Sequence, residues 1–260
     1  MKQFRIRNRI SYTDLLFSAA KGDIGTTIGA VKFYDLQNAI SSACFAYKQA
    51  KVEKENGNFE RELFYLRAAI LDYNACYDYV GQIAYFCFDF FDKLDSKEEL
   101  SECIRKISID DKHRFMNQFR KLSTQDTEAK VFFKKFQDFL EYNVPEKNKD
   151  NIRIWANTIK HRGGFVTKDI LSSRPVASIR TDKDFTLDWL YEDTPTSQEV
   201  YDRLEKHNGH IVDYAEELLT YVFKGTEVFE SESHKPFSCN KPSNRFNAVF
   251  LTEFKDKEYE

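Results

Sequence analysis

Two long runs with apolar residues at helical spacing occupy the first third of the chain, and one short break separates them. Residues 30–55 carry Val31, Phe33, Leu36, Ile40, Ala43, Cys44 and Tyr47. Steps of three and four put these on one side of an α-helix. Gly57 stops the run. Asn58 then caps a second one that reaches about residue 93, with Leu63, Leu66, Ile70, Tyr73, Tyr77 and Val80 on one side. A link this short makes the pair an antiparallel hairpin. Residues 83–91 are apolar nearly all round, which predicts burial on several sides, in a bundle or at a subunit interface.

Shorter helical patterns follow at 96–106 and 110–122. A third long one, capped by Ser123 or Thr124, reaches about Tyr142 with Val131, Phe132, Phe136, Phe139 and Leu140 inward. Thr196 and Glu199 form a capping box. The helix behind them keeps Val200, Leu204, Ile211, Tyr214, Leu218 and Val222 on one side. Two segments carry strand signals instead. Phe4, Ile6 and Ile10 alternate with Arg5, Arg7 and Arg9, an edge strand guarded by charge. Residues 176–181 and 185–191 are β-branched and aromatic and flank Asp182-Lys183-Asp184, a hairpin turn. The glycine-rich stretch 22–29 has neither a Walker lysine nor GxGxxG and reads as a connector. The expected architecture is mainly α, an up-and-down helical bundle over 1–260. It has an N-terminal strand and connector over 1–29, a β-hairpin insertion over 165–195 and a C-terminal extension over 231–260.

Composition narrows the function classes. A net charge of −3 argues against a partner bound by bulk positive charge, so any polyanion contact must be local. With 24 Phe and 14 Tyr, the core should be rich in rings. The 5 cysteines show no CxxC spacing; Cys44 and Cys76 sit in apolar helical patterns and read as buried thiols, which suits a cytoplasmic setting. Residues 1–12 contain no apolar signal-peptide region, and no run is long enough to span a membrane.

The stretch with most chemical content is 151–164, Asn-Ile-Arg-Ile-Trp-Ala-Asn-Thr-Ile-Lys-His-Arg-Gly-Gly. On a helix, Ile152, Trp155 and Ile159 share one face, and Arg153, Asn157, Lys160 and His161 share the other. Two readings fit. In the first, Lys160, His161 and Arg162 offset the negative end of the helix dipole, Gly163 is the left-handed cap, and Trp155 is core. In the second, the polar face is a site. Asn157 lies one turn before His161, where its carboxamide can orient an imidazole for acid/base work. Lys160, Arg153 and Arg162 supply charge for a phosphate. Arg153 and His161 are about 12 Å apart along the axis, so two copies of the helix facing across a twofold suit one phosphate better than one copy does.

This Asn-x-x-x-His pattern on a late helix of an aromatic-rich chain resembles the HEPN superfamily of RNases and nucleotide-binding proteins. The version Trp155-Ala-Asn157-Thr-Ile-Lys160-His161-Arg162-Gly163-Gly164 is similar to an uncharacterised branch of it. The resemblance implies a helical bundle, a homodimer formed through the motif helix, RNA or nucleotide as partner, a defence or toxin-type role, and RNA cleavage without metal or other cofactor. Carried over, His161 matches the family His and Asn157 its polar position, both assigned to catalysis; Arg153, Lys160 and Arg162 are the residues that would stand in as phosphate or RNA ligands. Active members place an Arg with four to six residues between it and the His. Here positions 154–156 are Ile, Trp and Ala, and Arg153 leaves seven residues between. The alternative is therefore a non-catalytic interaction protein whose motif only caps the helix and packs a dimer.

Other candidates are thinner. His207 and His210, with Asp213 and Glu217, have ligand types that zinc accepts at helical spacing. Asp110-x-x-His113 stands alone, whereas a di-iron bundle needs two such motifs and further carboxylates. No metal site is expected.

Overall fold

The computed structural model describes residues 1–4, 24–88, 98, 101–102, 120, 127–161, 164–173 and 194–222. Among these the chain is mainly helical and contains no strand. The elements are α1 (Ile24–Glu55), α2 (Phe59–Cys87), α3 (Thr127–Tyr142), α4 (Arg153–His161), α5 (Lys168–Ser173) and α6 (Ser197–Val222).

The break between α1 and α2 is a Schellman turn. Gly57 has φ 71°, a left-handed conformation that glycine reaches without a Cβ penalty. The Gly57 amide donates to the Lys54 carbonyl at 3.0 Å, and the Asn58 amide to that of Glu53 at 2.8 Å. Asn58 serves both helices. Its carbonyl accepts from the Arg61 and Glu62 amides, while its side chain donates back to Glu53 at 2.7 Å.

The chain forms two compact units. One comprises Met1–Gln3, Ala39–Ala75 and Glu141–His210; the other comprises Phe4–Asn38, Cys76–Leu140 and Ile211–Glu260. In the first, Ile40, Ala43, Tyr47, Leu63, Leu66, Ile70 and Tyr73 are buried as their spacing predicts. Cys44 meets the Tyr73 hydroxyl at 3.4 Å. Cys44 and Cys76 are buried thiols, and so is Cys87. In the second unit the aromatic residues stack into a slab. Tyr77 lies on Phe139 at 4.8 Å, Phe139 on Tyr214 at 4.3 Å and Phe132 on Tyr221 at 4.0 Å. Ile83, Ala84, Phe86, Cys87 and Phe88 are all buried, as the all-round apolar stretch requires.

Several expectations need amendment. Val31 points outward, 42% exposed, because α1 buries Phe33, Leu36 and Ile40 instead, and Val131 points outward, 56% exposed, because α3 turns its Phe132–Phe136–Phe139 face inward. The connector over 22–29 is largely helix, since α1 begins at Ile24. Gly29 is buried there, and a Cβ would collide with the Cys87 sulfur, a close approach that glycine within a helical pattern often marks. Residues 1–4 carry no strand, and the rest of the expected N-terminal strand lies outside the described residues. At the start of the 165–195 span, Phe165, Val166 and Thr167 are buried without regular structure and α5 follows. The two strands expected at 176–181 and 185–191, the helices at 96–106 and 110–122, and the extension over 231–260 lie outside the described residues or nearly so. The ends of the 165–195 span are tied together. The Lys168 amide donates to the Pro195 carbonyl at 3.0 Å, and Thr167 and Ser197 share a hydroxyl hydrogen bond at 2.9 Å.

Candidate functional site

α4 has nine residues, too few to be stable by its own hydrogen bonds. Its neighbours in the first unit hold it. Asn151 is the N-cap, with Oδ1 accepting from the Ile154 amide at 3.2 Å. The Asn151 side chain also donates to the Asn148 carbonyl at 2.7 Å, and Asn148 donates to the Tyr142 carbonyl at 2.8 Å. The Ile152 amide donates to Asn143 Oδ1 at 3.1 Å. Asn143 in turn donates to Asn74 Oδ1 on α2 at 3.0 Å. Asn74, Asn143 and Asn151 are all buried; such groups persist in a core only when hydrogen-bonded.

A second grip comes from α6. The Arg203 guanidinium lies 4.2 Å from the centroid of the Trp155 ring and donates to the Asn151 carbonyl at 3.3 Å. Lys206 pairs with the Asp150 carboxylate at 3.1 Å. That hydrogen bond, opposed in part by burial and joined by the charges of Lys206, Arg203 and Lys149, holds the Asp150 carboxyl below its ordinary range. His207 is fully buried and its Nε2 meets the Asp150 carbonyl at 2.9 Å. A carbonyl only accepts, so the neutral ring carries its proton on Nε2. Burial pushes the His207 pKa down to about 4, against the weaker upward pull of that hydrogen bond. His210 stacks on Tyr142 at 4.0 Å. These two histidines, weighed from sequence as zinc ligands, thus serve packing and the anchoring of residue 150. Among the described residues no group of three or more His, Cys, Asp or Glu is placed to hold a metal ion.

The segment beyond α4 is tied by α2. Arg67 Nε and Nη2 both donate to the Phe165 carbonyl, at 2.8 and 2.5 Å. Phe165 packs on Trp155 with ring centroids 5.5 Å apart. Ile152, Trp155 and Ala156 are buried and Ile159 is half-buried, which is the apolar face read from the sequence.

The opposite face is open. Asn157, Lys160 and His161 are exposed and Arg153 is half-buried. Among the described residues no hydrogen bond or ion pair engages Asn157, Lys160 or His161. The expected contact between the Asn157 carboxamide and the His161 ring is therefore not made by a hydrogen bond. Ile154, 53% exposed, sits among them. Arg162 and Gly163 lie outside the described residues. What the face offers chemically is an imidazole, an ammonium and a carboxamide in water on a helix immobilised from behind.

Sequence reading missed the anchors. Asn143, Arg67 and Arg203 carry no motif. Their one signal is polarity beside an apolar stripe, as with Asn74 next to Tyr73 and Tyr77.

The chain matches no protein-family model, no curated protein and no solved structure. Among the described residues no helix is long and apolar enough to cross a membrane.

Proposed function

We propose that the Arg153–His161 helix is a phosphate-directed face of a HEPN-like helical bundle that binds RNA or a nucleotide and cleaves RNA without a metal. One observation carries this reading. Three polar residues of the motif, Asn157, Lys160 and His161, stand in solvent while other side chains do the capping and anchoring. In the reaction a neutral His161 takes the proton of a ribose 2′-hydroxyl as its oxygen attacks the adjacent phosphorus. The 5′-oxygen leaves and is protonated by an imidazolium, giving a cyclic phosphate and a 5′-hydroxyl. Lys160, Arg153 and Arg162 neutralise the charge that builds on the phosphoryl oxygens, and Asn157 orients the ring once substrate is bound. A twofold pairing of α4 supplies both the base and the acid, one from each copy.

The second reading, a protein-interaction module paired through the same helix, is favoured by Ile154. An isoleucine 53% exposed amid polar neighbours gains about 1 kcal/mol when fully buried, roughly half the value for a wholly exposed one, which a facing copy would provide.

The test is cleavage of end-labelled RNA in EDTA by the protein and by His161→Ala. Loss of EDTA-resistant cleavage in the variant supports the nuclease. Equal activity in both proteins overturns it, and no cleavage or retention in either, with a dimer in solution, supports the interaction module.

A further inference from the structure

We propose that Arg67 and Asn143 are positioning residues for the Asn157–His161 face, Asn143 holding the leading end of α4 and Arg67 holding Phe165, which packs on Trp155 of α4. The proposal deepens the RNA reading and rests on it for its functional consequence. A nine-residue helix has no rigidity of its own to set which way its side chains point. Its apolar face fixes depth but leaves it able to roll and slide, because apolar contacts are non-directional. Direction has to come from hydrogen bonds. At the leading end the Ile152 amide is held by Asn143 Oδ1 at 3.1 Å, and Asn143 is held by Asn74 at 3.0 Å in a buried setting. Beyond the trailing end the Phe165 carbonyl is held by two convergent N–H groups of Arg67. A planar fork directed at one carbonyl is restrictive geometry, which a lysine ammonium cannot reproduce.

Both pins sit on other elements, Asn143 just past α3 and Arg67 in α2. Neither touches the open face through any hydrogen bond recorded for Asn157, Lys160 or His161. Their effect on that face therefore passes through α4 itself, by the Ile152 amide for Asn143 and by the Phe165–Trp155 contact for Arg67. A roll of α4 by one residue's worth of rotation, about 100°, would carry His161 from solvent toward the side now occupied by Trp155.

The experiment uses full-length protein and two readouts. The first is the His161 ring signal in a carbon–proton correlation spectrum, assigned by its loss in His161→Gln. The second is RNA retention that depends on His161. Arg67→Met keeps the aliphatic stem and removes the donors; we expect the His161 signal to move or broaden while that of His207 stays. His161-dependent retention should fall about tenfold, the scale of a misplaced binding group. Arg67→Lys should recover part of both. If Arg67→Met does not fold, Arg67→Lys and Asn143→Ala carry the same two measurements. An unmoved His161 signal overturns the proposal, and so does a moved signal with unchanged retention. If the wild-type protein shows no His161-dependent retention, the RNA reading fails, and the ring signal alone decides whether the pins position the helix.

Discussion

The Arg203 guanidinium faces the Trp155 ring at 4.2 Å and reaches past it to the Asn151 carbonyl at 3.3 Å. One side chain of α6 thus covers the buried face of α4 and holds its first turn. Both partners are largely out of water, where a cation over an aromatic ring is worth about 2 kcal/mol.

Arg203→Ala is expected to lower the unfolding free energy by roughly 2 kcal/mol and to shift Trp155 fluorescence as water reaches the ring. Arg203→Lys should fall between, since an ammonium cannot stack. Urea titrations followed by tryptophan emission report both effects. An unchanged midpoint in Arg203→Ala would mean that the stacking contributes nothing.

Acid should weaken the grip on residue 150. Burial lowers the His207 pKa from 6.5 to about 4, so below pH 6.5 the unfolded chain takes up a proton that the folded chain refuses. The stability associated with the neutral ring is fully present above about pH 6.5 and is lost as pH falls toward about 4. It amounts to roughly 3 kcal/mol across that window. His207→Gln keeps a donor for the Asp150 carbonyl and removes the titration. Its stability should decline less steeply than wild type between pH 6.5 and 4, and parallel profiles would refute the assignment.

The capping box of α6 offers a simple local check. The Thr196 amide donates to Glu199 Oε2 at 2.7 Å, and the Glu199 amide to Thr196 Oγ1 at 3.2 Å. Hydrogen bonds from the Thr196 amide and, at 3.0 Å, the Thr196 hydroxyl, reduced slightly by burial and aided by nearby positive charge, keep the Glu199 carboxyl below its ordinary range. Thr196→Ala should cost about 1 kcal/mol in chemical denaturation. Its effect and that of Glu199→Ala should be non-additive, because each removes the other's partner.

Gly29→Ala gains helix propensity of about 1 kcal/mol but drives a methyl group into Cys87. Overpacking costs about 1–3 kcal/mol, so net destabilisation is expected. The double variant Gly29→Ala, Cys87→Ala should regain most of it. A double-mutant cycle with no coupling would show that the two residues do not compete for the same space.

What was legible in the sequence follows from periodicity and local chemistry. The apolar stripes of α2 and α6, that of α1 apart from Val31, the Gly57 turn and the Thr196–Glu199 box are short-range patterns, and each appears where its residues predict. The open polar face of α4 was legible for the same reason. The anchors were not, because Asn143, Arg67 and Arg203 act across 9, 98 and 52 positions of chain, and no local pattern encodes such a meeting. Gly29 was misread as loop because a glycine that permits close packing and one that breaks a helix look alike in isolation. Val131 was placed inward because it lies beside Phe132, and the wider ring won the position.

The division of labour on α4 has an evolutionary reading. Among the described residues, the ties named above leave from the backbone of this helix, its cap or its buried side, and none from the side chains of Asn157, Lys160 or His161. Those three positions can then be exchanged with little effect on whether the chain folds. A lineage is free to retune, silence or restore the chemistry of this face one substitution at a time, without passing through an unfolded ancestor.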